Sequence, residues 1–361
     1  MSLYGSRSFR YLESATEALH LCVGADVPSL LLKEVPQVKR LERDGGTTYA
    51  FNWQDRPRLS VKPDESFLVE TEDAFSGVLR GSQDSSLLQT LPGRDRIPPL
   101  SNPITGPIYV EGAKKGDLLK VTVERIDLDP YGTCAFFPGA GPAELRARWP
   151  ELDEPHIYSL VHEAGEAREV LVNGEVGWCA RPMIGTIGVA PDREVVASIW
   201  GQGPWGGNLD CQHVAEQSSF YVNCYHDGAL LYLGDVHASQ ADTELCSSAD
   251  EARAAVTLRC HVIPSTQIPF PRVETEDALI SLYSAKPLEE AVTQAISHLI
   301  EWLVEEHQFT PRQAYLHFSA NPGCRIHIYQ MVSFGPISYT VGAAFPRRCI
   351  GQTEAREGRN P

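Results

Sequence analysis

The chain has 361 residues, 42% of them hydrophobic and 22% charged, a composition that fits a folded soluble protein and excludes a disordered or fibrous one. The net charge of -16 argues against a nucleic-acid partner, whose phosphate backbone needs a basic surface, and favours a neutral or cationic small ligand. The nine cysteines are scattered and never spaced as C-x-x-C, so reduced thiols in a cytoplasmic protein fit better than a disulfide framework. MSLYGSRSFRYLES carries no apolar signal core and no run of eighteen apolar residues follows, which argues against secretion and against a membrane partner.

Most of the chain reads as strands. SFLVET (66–71), DLLKVTVERIDL (117–128), EVVASIW (194–200), SSFYVNCY (218–225), ALLYLGD (229–235) and AVTLRCHVI (255–263) are short and rich in branched and aromatic residues. Turn-forming stretches such as SNPITGP, EGAKKGD, FFPGAGP and GQGPWGGN separate them. The pattern predicts a mainly β architecture, a sandwich or open barrel. One long helix is expected over about 286–307, with an apolar stripe at Leu288, Ala291, Val292, Ala295, Ile296, Leu299, Ile300, Leu303 and Val304. Thr310-Pro311-Arg312-Gln313 reads as a capping box opening a second, shorter helix, and RIHIYQMVS (325–333) returns to strand.

Two polar clusters stand at predicted strand ends. GPWGGNLDCQH (203–213) supplies Asn208, Asp210 and His213 after the flexible Gly206–Gly207. GDVHASQADTEL (234–245) offers Asp235, His237, Asp242 and Glu244 with no Lys or Arg among them. The i, i+2 spacing of Asp235 and His237 puts both on one face of an extended chain. Carboxylates with imidazole suit a divalent metal, and a remaining Glu can serve as general base toward a water. The same residues also fit a strand-end turn with Glu244 solvated. Asp73, in ETEDAFSGVL, fits either a site role or a side-chain cap on the turn that follows it. Cys211 lacks the cation or helix N-terminus that would activate a thiol, and no G-x-S-x-G, Walker A or G-x-G-x-x-G motif is found.

GGNLDCQH…SSFYV…GALLYLGDVHASQADTELC resembles the acetamidase/formamidase family, which carries GGN-x-D and GALL-x-x-GD-x-HA-x-QGDGE-x-C. SNPITGPIYVEGAKKGD, TEDAFSG and YGTCAFFPGAG resemble further family segments in the same order, so the likeness spans roughly residues 55 to 335. The resemblance implies hydrolysis of the C–N bond of a small, formamide- or acetamide-like carboxamide. An amide of larger or cyclic form, or an inactive binding relative, is the alternative. It also implies a jelly-roll-like β-sandwich with a barrel-like part and a small α+β portion, a homo-oligomer, and a divalent metal, with zinc expected. The implied metal ligands are Asp73, Asp210 and His237, the implied catalytic groups Glu244, His237 and Asp210, and the implied substrate contacts Gly206, Gly207, Asn208 and Gln240. Residues 1–50 are expected as an extension, 51–265 as the mainly β part, 266–340 as the α+β part and 341–361 as a tail. The family's QGDGE is here Gln240-Ala241-Asp242-Thr243-Glu244, with both acids kept and both glycines lost.

Overall fold

A computed structural model describes residues 38–165, 168–333 and 335–351, so the expected extension up to residue 37 lies outside the described residues. Among the described residues strands make up 40% and helices 16%, and the antiparallel sheet curls strongly into a half-barrel. Its spine is a pair of long strands, Leu118–Phe136 and Glu251–Ile263, running antiparallel along most of their length with two register shifts. Leu119, Val121 and Val123 alternate inward on the first and Ala252, Ala254, Val256, Leu258 and Cys260 on the second, the period of two that a half-buried strand requires. Ser66–Thr71 pairs with the other edge of Glu251–Ile263, setting Val69 opposite Val256 in the main core.

Three more strands bring the polar clusters together. Met183–Val189 lies antiparallel to Leu231–His237 on one side and to Gly206–Asn208 on the other. Leu231–His237 in turn meets Glu251–Ile263, with His237 and Glu251 as register partners. The expected ALLYLGD strand (229–235) falls two residues later, at Leu231–His237, so His237 joins Asp235 as a strand residue. EVVASIW yields only the short strand Val195–Ala197, paired with Ala50–Asn52.

The α+β portion forms around Ala278–Ala285, Tyr339–Pro346 and Arg325–Gln330, paired in that order. The helix Leu288–His307 buries Ala291, Ala295, Leu299, Trp302 and Leu303 against Leu279, Val341, Ala343 and Phe345. Gln308, with φ 61°, ends that helix, and the Thr310–Gln313 capping box opens the helix Pro311–Ala320. Two expected boundaries move. Tyr339–Pro346 is a buried strand of this sheet, so residues 341–346 are not tail. Its Gly342, Ala343 and Ala344 are covered on both faces and show no alternation to read. Lys39–Leu41 already pairs in parallel with Ser66–Thr71, so the sheet begins before residue 50. Eight cysteines are free thiols among the described residues, and no described helix is long and apolar enough to cross a membrane.

Candidate active site

Five side chains converge where these strands end. Asp235 and His237 point the same way from Leu231–His237, and the register pairing of His237 with Glu251 adds a second carboxylate from the next strand. Asp210 joins them because the backbone N–H groups of Leu209 and Asp210 both donate to the Gly185 carbonyl, at 3.1 and 3.0 Å. Glu244 comes from the single turn Asp242–Glu244. Asp210, Asp235 and His237 offer ligand atoms within 4.8 Å of one another, as do His237, Glu244 and Glu251. Gly185 makes room for this crowding: a Cβ there would lie 2.9 Å from Asp210 Oδ1 and 3.0 Å from Asp235 Oδ2. Asp210 and Asp235 hold left-handed φ values of 47° and 54°, a conformation that costs energy outside glycine and gathers at functional sites.

Each inner residue has one atom pinned and one atom bare. Asp235 Oδ2 accepts from Asn102 Nδ2 at 2.7 Å and from the Thr186 hydroxyl at 3.0 Å. Asp210 Oδ2 accepts from Gln330 Nε2. Gln240 Nε2 donates to the carbonyls of Asp210 and Tyr329 at 3.0 and 2.9 Å, so its Oε1 is the end that accepts from His237 Nδ1 at 2.9 Å. The imidazole therefore turns Nε2 toward the acids, 3.2 Å from Glu251 Oε2 and 3.5 Å from Asp235 Oδ1. Asp210 Oδ1, Asp235 Oδ1, His237 Nε2 and Glu251 Oε2 are all buried without a hydrogen-bond partner. Such atoms cost ~1–3 kcal/mol each when nothing compensates them.

The electrostatics split the carboxylates. Burial pushes Asp210 up to about 7, opposed by His237 and helped by Asp235. Burial likewise lifts Glu251 to about 7 and Glu244 well above its ordinary range, Asp210 adding to the latter. Asp235 is as buried, yet His237 and the Thr186 hydroxyl hold it below the usual carboxylate range. Burial would lower His237, and Glu251 and Asp235 outweigh that to keep it well raised. The cluster thus gathers more negative charge than one imidazole can balance. Oxygen and imidazole donors with bare inward atoms fit a divalent cation, held by Asp210, Asp235 and His237 with Glu251 alongside.

The remaining sequence candidates fall elsewhere. Asp73 is absent from both ligand groups: its Oδ1 accepts from the N–H groups of Phe75 and Gly77 at 2.9 Å, capping the turn, and its carboxyl is pushed up to about 6, chiefly by burial. Gly206 and Gly207 sit in a strand paired on both edges, with φ of 96° and 120°. The close approach they permit is to neighbouring backbone, the carbonyls of Ile187 and Gly201. Asn208 accepts from Thr186 and donates to the Ile199 carbonyl, while Gln240 is spent orienting His237. Asp242 is exposed and takes a bond from Gln212 at 3.3 Å. Glu251, Gln330, Asn102 and Thr186 were not anticipated. For Glu251 a signal existed: the alternation of Ala252, Ala254 and Val256 extends the strand back to it.

A cavity of about 350 Å³ opens onto the cluster, with Asn208, Glu244, Glu251 and Gln330 in its lining. Phe75, Leu88, Leu100, Phe137, Ile199 and Ile337 supply much of the remaining wall.

Residues 53–203 and 201–346 match the sequence pattern of the acetamidase/formamidase family. Among solved structures, an acetamidase from Bacillus halodurans superposes with a TM-score of 0.73 at 26% identity, over 86% of this chain and 97% of that one. A predicted acetamidase/formamidase from the thermophile Thermoanaerobacter tengcongensis gives 0.74 at 31% identity, over 89% and 99%. An acetamidase from Yersinia enterocolitica gives 0.74 at 29% identity, over 88% and 94%. No curated protein sequence matches the chain. The class these findings define is that of the amidases, hydrolases of the C–N bond in linear amides. The chain belongs to the acetamidase/formamidase family.

Proposed function

We propose that this chain hydrolyses a carboxamide to a carboxylate and ammonia with a divalent ion, zinc by preference, held by Asp210, Asp235 and His237, and with Glu244 as the proton carrier. The observation that carries the proposal is the convergence of Asp210 Oδ1, Asp235 Oδ1, His237 Nε2 and Glu251 Oε2, buried and unpartnered, beside a cavity that Glu244 and Glu251 line. When bound, the ion supplies Lewis acidity, polarising the amide carbonyl and easing deprotonation of water. The protein's own part is orientation. Gln240 fixes the ring of His237, Gln330 fixes Asp210, and Asn102 with Thr186 fixes Asp235. These outer contacts keep the ligand atoms in place before substrate arrives. Glu244, reaching the cavity, takes the proton from the attacking water and passes it to the nitrogen, so that an amine rather than an amide anion departs. Free thiols fit the expected cytoplasmic location, and homo-oligomeric assembly is carried over from the family resemblance.

Glu244→Gln tests the assignment. It should lower kcat by about 10²- to 10⁴-fold with little change in KM and an unchanged metal content. Undiminished turnover would remove Glu244 from the mechanism. One observation favours the reading of a binder without catalysis: Thr243, β-branched, stands at φ 75° where the family motif has glycine, directly before Glu244. Absence of ammonia from every amide, with amides still bound, would support that reading.

A further inference from the structure

We propose that the cavity beside the acidic cluster is an acyl pocket for amides with a bulky apolar acyl group, a phenyl ring or an unbranched chain of about six carbons. The inference rests on the amidase reading and replaces the formamide or acetamide scale with a larger substrate. Volume is the first argument. The cavity measures about 350 Å³. Acetamide has only four non-hydrogen atoms, whereas cavities of roughly 300 Å³ and more suit drug-sized ligands. The remainder would stay as water against apolar walls, or be filled by a substrate of about ten non-hydrogen atoms.

Polarity is the second argument. Glu244 and Glu251, able to receive an amide head, belong to the cluster, and Asn208 and Gln330 line the same end, whereas Phe75, Leu88, Leu100, Phe137, Ile199 and Ile337 form an apolar wall. That division suits a ligand with one polar end and one greasy end.

The wall is also built to last. Phe75 and Leu88 pack with Leu79, Ala135 and Ile157 in a core of their own, and the Phe75 and Phe137 rings lie 6.0 Å apart. Asp73 caps the turn carrying Phe75, and Asp84 caps the single turn Ser85–Gln89 that carries Leu88. Arg94, exposed, is the cationic residue of the lining, and it defines the competing possibility of a substrate with a carboxylate tail.

The reaction itself is unchanged. Water adds its oxygen to the acyl carbon, the C–N bond breaks, and the two protons of water leave with nitrogen as ammonium, leaving a carboxylate. Acyl length alters only how much apolar surface leaves water in the transition state.

The test measures ammonia release and calorimetric affinity for acetamide, butanamide, hexanamide, phenylacetamide and 6-amino-6-oxohexanoate. The expected result is a rise in kcat/KM of about fourfold per methylene from acetamide to hexanamide, with phenylacetamide also well above acetamide. A flat series, or one led by acetamide, overturns the proposal and leaves the amidase standing. Preference for 6-amino-6-oxohexanoate over hexanamide overturns it in favour of Arg94. Affinity rising with length while no amide releases ammonia supports the pocket and removes the amidase reading instead. Neither affinity nor turnover changing with length overturns the pocket. Ala140→Leu, in the cavity lining, should lower the hexanamide-to-acetamide ratio of kcat/KM at least about tenfold. An unchanged ratio would contradict the assignment of this wall.

Discussion

Asp73 and Asp210 look alike in the sequence, each an acid beside a glycine-bearing turn, and the structure separates them by what their oxygens touch. Both oxygens of Asp210 lie within the cluster, one held by Gln330 and one bare. Asp73 gives one oxygen to two backbone N–H groups, the ordinary work of a turn-capping carboxylate. Asp73→Ala should therefore leave the content of bound divalent metal unchanged while lowering unfolding stability by about 1–2 kcal/mol. Metal analysis and chemical denaturation check the two halves, and loss of metal would restore Asp73 to the ligand set. At this scale the sequence pointed to Asp210, His237 and Glu244 through their clustering, and the structure brings them together. Glu251 was missed although the alternation of Ala252, Ala254 and Val256 reaches back to it, because an acid at the start of an alanine-rich strand looks like a solvated turn. The sequence hid the pinning partners Gln330, Asn102 and Thr186 altogether, since only the fold brings them beside the acids.

Strands and turns set the spacing that single residues exploit. Met183–Val189 runs beneath the cluster, and Gly185 on it is the position where a side chain would strike both acids. Gly185→Ala should weaken divalent-ion affinity by about 10- to 100-fold and destabilise the fold by about 1–3 kcal/mol. A competition titration against a chromogenic chelator reads the first effect, and an unaltered affinity would show that the ion sits elsewhere. The turn Asp242–Glu244 raises the opposite question, because Thr243 occupies a backbone region that suits glycine. Thr243→Gly should release strain and raise stability by about 1 kcal/mol net of the extra freedom glycine gains when unfolded. A lower thermal midpoint would mean that the Thr243 side chain contributes more than its backbone costs. Elements with strong periodicity were legible: the helix stripe from Leu288 to Leu303 and the capping box at Thr310 appear as read. Tyr339–Pro346 was not, because small residues buried on both faces leave no polar face to alternate with.

On the scale of the molecule, the curled sheet brings together segments about forty residues apart, Asp210 to Glu251, aligned by ladder register, by the Gly185 carbonyl and by the turn Asp242–Glu244. A net charge of -16 does not explain why four of those acids, Asp210, Asp235, Glu244 and Glu251, crowd around one imidazole. The divalent cation proposed above would account for both the crowding and the bare atoms. The family and the mainly β class were legible because ordered motifs cover most of the chain. The size of the cavity was not, because its walls come from loops whose neighbours only the fold reveals. The most direct measurement follows ammonia release from hexanamide and acetamide together with metal content, before chelation, after it, and after zinc is returned. The account predicts a stoichiometric divalent ion, loss of ammonia release when it is removed, and recovery when zinc returns. Full turnover in protein stripped of metal would contradict it.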